Sequence, residues 1–176
     1  MRKALYLLGI LEETDIDWLA RYGEKRYLDR GAVLIREGQS VSSLFLVLEG
    51  SLAVTLSNGT KIATLLAGEI VGEISLVDNR PPLATVQTLD GTHVLAVDCL
   101  KLKSKLQQDT GFASRFYLAI AMFLADRLRS TTSRLGYGSP GQDENAPDEL
   151  DDSMMDSVSV ANVRFDNLLK ALRVNR

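Results

Sequence analysis

Six glycines, Gly31, Gly38, Gly50, Gly59, Gly68 and Gly91, cut the stretch from Lys25 to Asp98 into short apolar segments. Short runs of this kind, closed by turn residues at regular intervals, fold as strands of a small barrel or jelly roll. The segments 25–29, 33–36, 43–48, 51–56, 60–66, 84–88 and 92–98 are the expected strands. Asn58-Gly59 between two of them is the strongest hairpin signal in the chain.

Within this region Gly68 to Val86, GEIVGEISLVDNRPPLATV, reads as strand, glycine turn, a single turn of helix, loop and strand. Gly72 has no Cβ and admits a close approach of the backbone to whatever lies beside it. The N–H groups opening the turn Ile74-Ser75-Leu76, with the helix dipole behind them, form an anion site. Glu73 is placed to accept bonds from sugar hydroxyls. Ala84 and Thr85 open the next strand, and Thr85 offers its hydroxyl toward the same point.

Here the chain resembles the phosphate-binding cassette of the cyclic nucleotide-binding domain family, whose members include catabolite-activator-type regulators, cyclic-nucleotide-dependent kinases and gated channels. Gly72, Glu73, Ile74, Ser75 and Leu76 match the first half of its pattern, and Pro81, Ala84, Thr85 and Val86 match the second at unchanged spacing. Gly31, Glu37-Gly38 and the segment Phe45 to Gly50 extend the resemblance over the whole strand region. The resemblance implies an α+β, mainly β architecture: an eight-stranded β-roll with N-terminal helices and a long C-terminal helix. It implies a cyclic nucleotide, cAMP or cGMP, as ligand, held by Gly72, Glu73, Ile74, Ser75, Arg80, Pro82, Ala84 and Thr85. Two positions depart from the pattern. Val71 stands where the family has Phe, and Pro82 stands where it has the arginine that pairs with the cyclic phosphate; Arg80 is two positions early.

Helices flank the strand region. Residues 3–8 form a short helix, and Thr14 is the expected N-cap of a second helix from Asp15 to Tyr22, stopped by Gly23. Ile16, Leu19 and Ala20 share its inner face, and Trp18 packs between it and the domain body. Leu100 to Leu106 is a short helix, followed by a long one from Phe112 to Leu135. Phe112, Phe116, Ile120 and Phe123 make one apolar seam on the long helix, and Tyr117, Ala121, Leu124 and Leu128 make another. A surface helix needs one stripe. The second seam meets either a second copy of the chain, as the resembling family implies, or the N-terminal helices of the same chain. Residues 136–158, dominated by Gly, Pro, Ser and acids, read as a flexible acidic linker. Residues 159–176 return to helical spacing, with Phe165, Leu168, Leu169 and Leu172 on one face. So short a helix is marginal alone and docks on its own domain or on a partner protein. The expected organisation is a helical segment 1–24, a roll with its long helix 25–135, a linker 136–158 and a docking helix 159–176.

Catalytic motifs are missing from the sequence. There is no HExxH, P-loop or Gly-x-Ser-x-Gly turn. His93, the sole histidine, and Cys99, the sole cysteine, read as structural, against a haem role that some relatives of the fold suggest. One cysteine permits no disulfide framework or cysteine metal cluster, which suits a reducing cytoplasm. The acidic run lacks the ligand spacing of a calcium loop. The apolar run Phe116 to Ala125 falls short of the ~20 residues that span a bilayer. A net charge of −3 with no basic surface argues against nucleic acid. The expected function is a non-enzymatic regulatory sensor, a homodimer signalling through its long and C-terminal helices to a partner protein. Its rivals are a ligand-free docking scaffold and a catabolite-activator-type transcription regulator. The latter requires a winged helix-turn-helix after the long helix, where the sequence shows only the acidic run and one short helix.

Overall fold

The structure is a computed structural model and describes residues 6–134 and 152–174. Helices α1 (Tyr6–Ile10) and α2 (Glu13–Tyr22) open the chain. Strands β1 (Glu24–Leu28), β2 (Val33–Ile35), β3 (Ser43–Glu49), β4 (Ser51–Thr55), β5 (Lys61–Leu66) and β6 (Ile70–Val71) follow. A short helix α3 (Glu73–Asp78) precedes β7 (Thr85–Thr88) and β8 (Thr92–Asp98), and then come α4 (Cys99–Gln108), α5 (Thr110–Arg134) and α6 (Asp152–Val174). The strands make two antiparallel sheets, ordered β1-β8-β3-β6 and β2-β7-β4-β5. This is the expected eight-stranded roll, and the Asn58-Gly59 turn joins β4 to β5, with the Asn58 side chain accepting from the Thr60 N–H.

The roll has two cores, one on each face of its first sheet. Phe45 and Val47 of β3 and Val94 and Ala96 of β8 point into the roll, where they meet Ile35, Leu52, Leu65, Val71 and Val86. Leu44, Leu46 and Leu48 of β3 and Leu95 and Val97 of β8 point outward and are covered by helices. Strands buried on both faces are apolar at every position, which is why β3 reads SLFLVLE with no polar alternation inside it.

The covering layer draws on α1, α2, α4, α5 and α6. Phe112, Phe116, Ile120 and Phe123, the first seam of α5, are buried in it beside Leu7, Leu8 and Leu11 from the α1 region and Ile16 and Leu19 of α2. Trp18 packs on Tyr22 and Phe112 at centroid distances of 5.0 and 5.7 Å, the packing role expected of it.

Helix boundaries differ from the sequence reading where tertiary contacts fix them. Thr14 is not the cap of α2: the helix starts at Glu13, and the Asp15 carboxylate accepts from the Glu12 N–H at 2.9 Å. Asp15 is also held bidentate by Arg115 of α5, at 2.7 and 3.0 Å, a partner 100 residues away that no local pattern announces. Asp98 caps α4 by accepting from the N–H groups of Leu100 and Lys101, so that helix begins at Cys99. The C-terminal helix starts at Asp152, seven residues before the boundary that periodicity set at 159. The rest of the expected linker, with Leu135 at the end of the long helix, lies outside the described residues.

Candidate functional site

Gly72 joins β6 to α3 in the left-handed region, at φ +94°. A Cβ there would stand 2.8 Å from the Ser43 carbonyl oxygen and 3.4 Å from Val41 Cγ1. Both the dihedral and the space therefore demand glycine. Gly72→Ala is expected to destabilise the fold by roughly 1–3 kcal/mol or more, because the opposing atom is backbone and cannot swing away. Urea titration checks this, and an unchanged midpoint would refute it.

From Gly72 the chain enters α3, whose Leu76 is buried and whose Ile74 and Val77 are about half exposed. The helix ends at Asn79, itself left-handed at φ 57°, with its side-chain oxygen on Lys103 of α4. Arg80 is exposed, and its backbone N–H closes onto Asp78 at 2.9 Å. The Pro82 carbonyl accepts from the Gly38 N–H at 2.9 Å, and the Thr85 hydroxyl accepts from the Glu37 N–H at 3.2 Å. These two bonds fasten the second half of the cassette to the turn after β2. A cavity of about 190 Å³ lies beside Gly72, lined by Ile35, Val41, Ser42 and Phe45 among others; Ile35 and Val41 also flank Gly72. Ser75 and Ala84 lie half-buried in the same loop system.

Glu73 is 1% exposed, the most deeply buried charge of the cassette. Its Oε1 accepts from Arg127 of α5 at 2.6 Å. Burial raises its pKa above the ordinary carboxylate value; Arg127 and the backbone N–H groups of Glu73 and Gly72 oppose that rise. The Arg127 side chain is 31% exposed, and its guanidinium lies 4.5 Å over the Phe123 ring. Sequence reasoning singled out Glu73 and passed over Arg127. The available signal was periodicity: Arg127 stands four residues after Phe123, where the buried seam would place another apolar residue.

The remaining expected residues divide. On α5, Tyr117, Ala121 and Leu128 are exposed, while Leu124 is partly buried and packs on the helical core. The second seam is thus not covered by the chain's own N-terminal helices, which take the first. On α6, Phe165, Leu168 and Leu172 are buried and Leu169 is partly buried, against the chain's own α1 and α2. The face offered to a partner protein is therefore occupied within the chain, and Arg164 adds bonds to the Leu8 and Gly9 carbonyls at 3.1 and 3.0 Å. His93 of β8 sits beside Tyr27 and Glu49, and burial pushes the thiol pKa of the buried Cys99 up. Among the described residues no cluster of His, Cys, Asp or Glu could hold a metal ion, and no helix is long and apolar enough to cross a membrane.

The cassette is thus a left-handed glycine opening a short helix, with a buried glutamate at its start, on an eight-stranded roll. Residues 25–109 match the family described as the cyclic nucleotide-binding domain, and the β-roll of this chain belongs to that family. The fold is shared with a cyclic nucleotide-binding domain from Methylobacillus flagellatus, at a TM-score of 0.69 and 21% identity over 80% of this chain and 84% of that one. The catabolite activator protein of Thermus thermophilus aligns at a TM-score of 0.62 and 19% identity, over 97% of this chain and 87% of that one. In sequence, a glutaminase of Bradyrhizobium diazoefficiens is 31% identical over 123 residues, 68% of this chain and 20% of that protein. The chain spans less than half the length of the curated relatives it matches. The family is a regulatory domain, and the curated relatives include enzymes, the glutaminase and a cGMP-dependent protein kinase of Eimeria tenella.

Proposed function

We propose that this chain is a non-enzymatic cytoplasmic sensor whose roll takes a cyclic nucleotide at the cassette and conveys occupancy through α5. The observation that carries this reading is the bond from Arg127 of α5 to Glu73 of the cassette. A ligand whose sugar hydroxyls seek Glu73 must engage the same carboxylate, so binding and the position of α5 are linked. Pro82 has no side-chain donor. A charge-assisted phosphate contact contributes about 1.5–3 kcal/mol, so its loss lowers affinity roughly ten- to a hundred-fold. Calorimetric titration with cAMP, cGMP and cyclic dinucleotides tests the proposal. Saturable binding of a cyclic mononucleotide is expected, weakened by Glu73→Ala.

A second reading, a ligand-free docking scaffold, is favoured by one observation: Glu73 is already engaged within the chain, and Pro82 brings no charge. It takes over if no cyclic nucleotide binds at millimolar concentration to a folded protein.

The signalling unit in the sensor reading is a homodimer through α5, supported by the exposed Tyr117, Ala121 and Leu128. Leu128 is 67% exposed and Leu124 touches the chain's own core, so Leu128→Glu is the cleaner probe. Light scattering at tens of micromolar is expected to give a dimer for the wild type and a monomer for Leu128→Glu, with identical circular dichroism. A monomeric wild type would remove the dimer from the proposal.

A further inference from the structure

The geometry points to Arg127 as the residue that meets the ligand's phosphate, supplying from α5 the cation that the cassette of this chain lacks. This rests on the sensor reading. Four described cationic side chains stand around the cassette. Arg36 lines the cavity beside Gly72 but is exposed, and Arg80 is exposed in the loop after α3. Lys103 is held on Asn79. Arg127 alone of the four is bonded to a buried residue of the cassette, 2.6 Å from Glu73 Oε1.

Pre-organisation separates Arg127 from Arg80. The Phe123 ring beneath its guanidinium and the Glu73 bond at its edge hold Arg127 in place before any ligand arrives. An exposed arginine must first surrender its rotamer freedom, whereas a side chain already ordered adds its attraction at little further entropic cost. The site is also partly shielded from water, where a charge acts more strongly than at an open surface. A guanidinium presents its donors as a planar fork and can hold a carboxylate on one edge while facing an anionic oxygen with another. The arrangement keeps charges balanced. Arg127 shifts toward the phosphate monoanion, and the Glu73 carboxylate, less firmly held, accepts from the sugar hydroxyls. Because Arg127 belongs to the helix that carries the exposed seam of Tyr117 and Leu128, the ligand's charge is read by the helix that signals.

The test compares cAMP with adenosine, which has the base and sugar but no phosphate. Arg127→Gln is expected to lower cAMP affinity by about tenfold or more beyond its effect on adenosine affinity, which reports only its hold on Glu73. Adding Pro82→Arg is expected to raise cAMP affinity by a larger factor in Arg127→Gln than in the wild type, where Arg127 already meets the phosphate; a purely structural role for Arg127 gives equal gains in both backgrounds. Should Arg127→Gln fail to fold, the wild type still decides: the Arg127 Nε–H resonance, assigned by its disappearance in Arg127→Lys, is expected to shift further with cAMP than with adenosine. A folded Arg127→Gln that binds cAMP like the wild type overturns the proposal and leaves the sensor reading standing. So does an equal loss for cAMP and adenosine, an equal gain from Pro82→Arg in the wild type and in Arg127→Gln, or a resonance moved no further by cAMP than by adenosine. If neither the wild type nor Pro82→Arg binds cAMP at millimolar concentration, the sensor reading itself falls and takes the proposal with it.

Discussion

Arg127→Ala is expected to lose about 3 kcal/mol of unfolding free energy at neutral pH, and to recover much of it on acidification. The substitution leaves the Glu73 carboxylate buried without the guanidinium that opposes its desolvation. Burial already lifts the Glu73 pKa above its ordinary 4.5. A carboxyl raised in the folded state is most favourable to folding below 4.5, where it is protonated in both states, and that advantage is lost as pH rises through the folded value. Without Arg127 the folded value rises further, so the deficit of the variant is greatest well above it and shrinks as pH falls toward 4.5. Denaturant melts of wild type, Arg127→Ala and the double variant Arg127→Ala/Glu73→Gln, taken at neutral and mildly acidic pH, check this. The double variant has no buried charge and should show no such pH dependence relative to its own neutral-pH stability from this site. A deficit of equal size at both pH values would mean that Arg127 acts through packing on Phe123, not through Glu73. A loss of about 3 kcal/mol leaves a domain of ordinary stability folded, so binding experiments on Arg127 variants remain feasible.

Pro82→Arg should strengthen cyclic nucleotide binding by about tenfold or more, since a charged donor then faces the phosphate and charge-assisted bonds are roughly twice as strong as neutral ones. The change spares the scaffold of the site. The bond that Pro82 makes is through its carbonyl, to the Gly38 N–H, and arginine has the same carbonyl. The fixed φ of proline is lost, which loosens the loop slightly and works against the gain. Arg80→Ala is the control: Arg80 is exposed, and among the described residues its bond is through its backbone N–H to Asp78, so its removal is expected to change affinity little. Equal affinities for wild type and Pro82→Arg, with binding present in both, would show that the phosphate does not lie against position 82. A large loss in Arg80→Ala would show instead that this exposed arginine swings in on binding.

The cassette, the glycine turns and the strand pattern were legible because each is local. Gly72 is marked by the residues beside it, Asn58-Gly59 announces its own hairpin, and the two seams of α5 follow from the spacing of its apolar residues. The departure at Pro82 needed no coordinates either. Which seam of α5 is buried was not legible, because both have helical spacing and periodicity does not say what lies opposite. The same holds for α6, whose Phe165, Leu168 and Leu172 would have suited a partner as well as they suit α1 and α2. Arg127 and Glu73 lie 54 residues apart, and Arg115 and Asp15 lie 100 apart. Propensity and periodicity act over a few residues along the chain, so they settle turns, strands and helices. Ion pairs and the choice of covered face depend on which surfaces the roll brings together, and only the tertiary structure decides that.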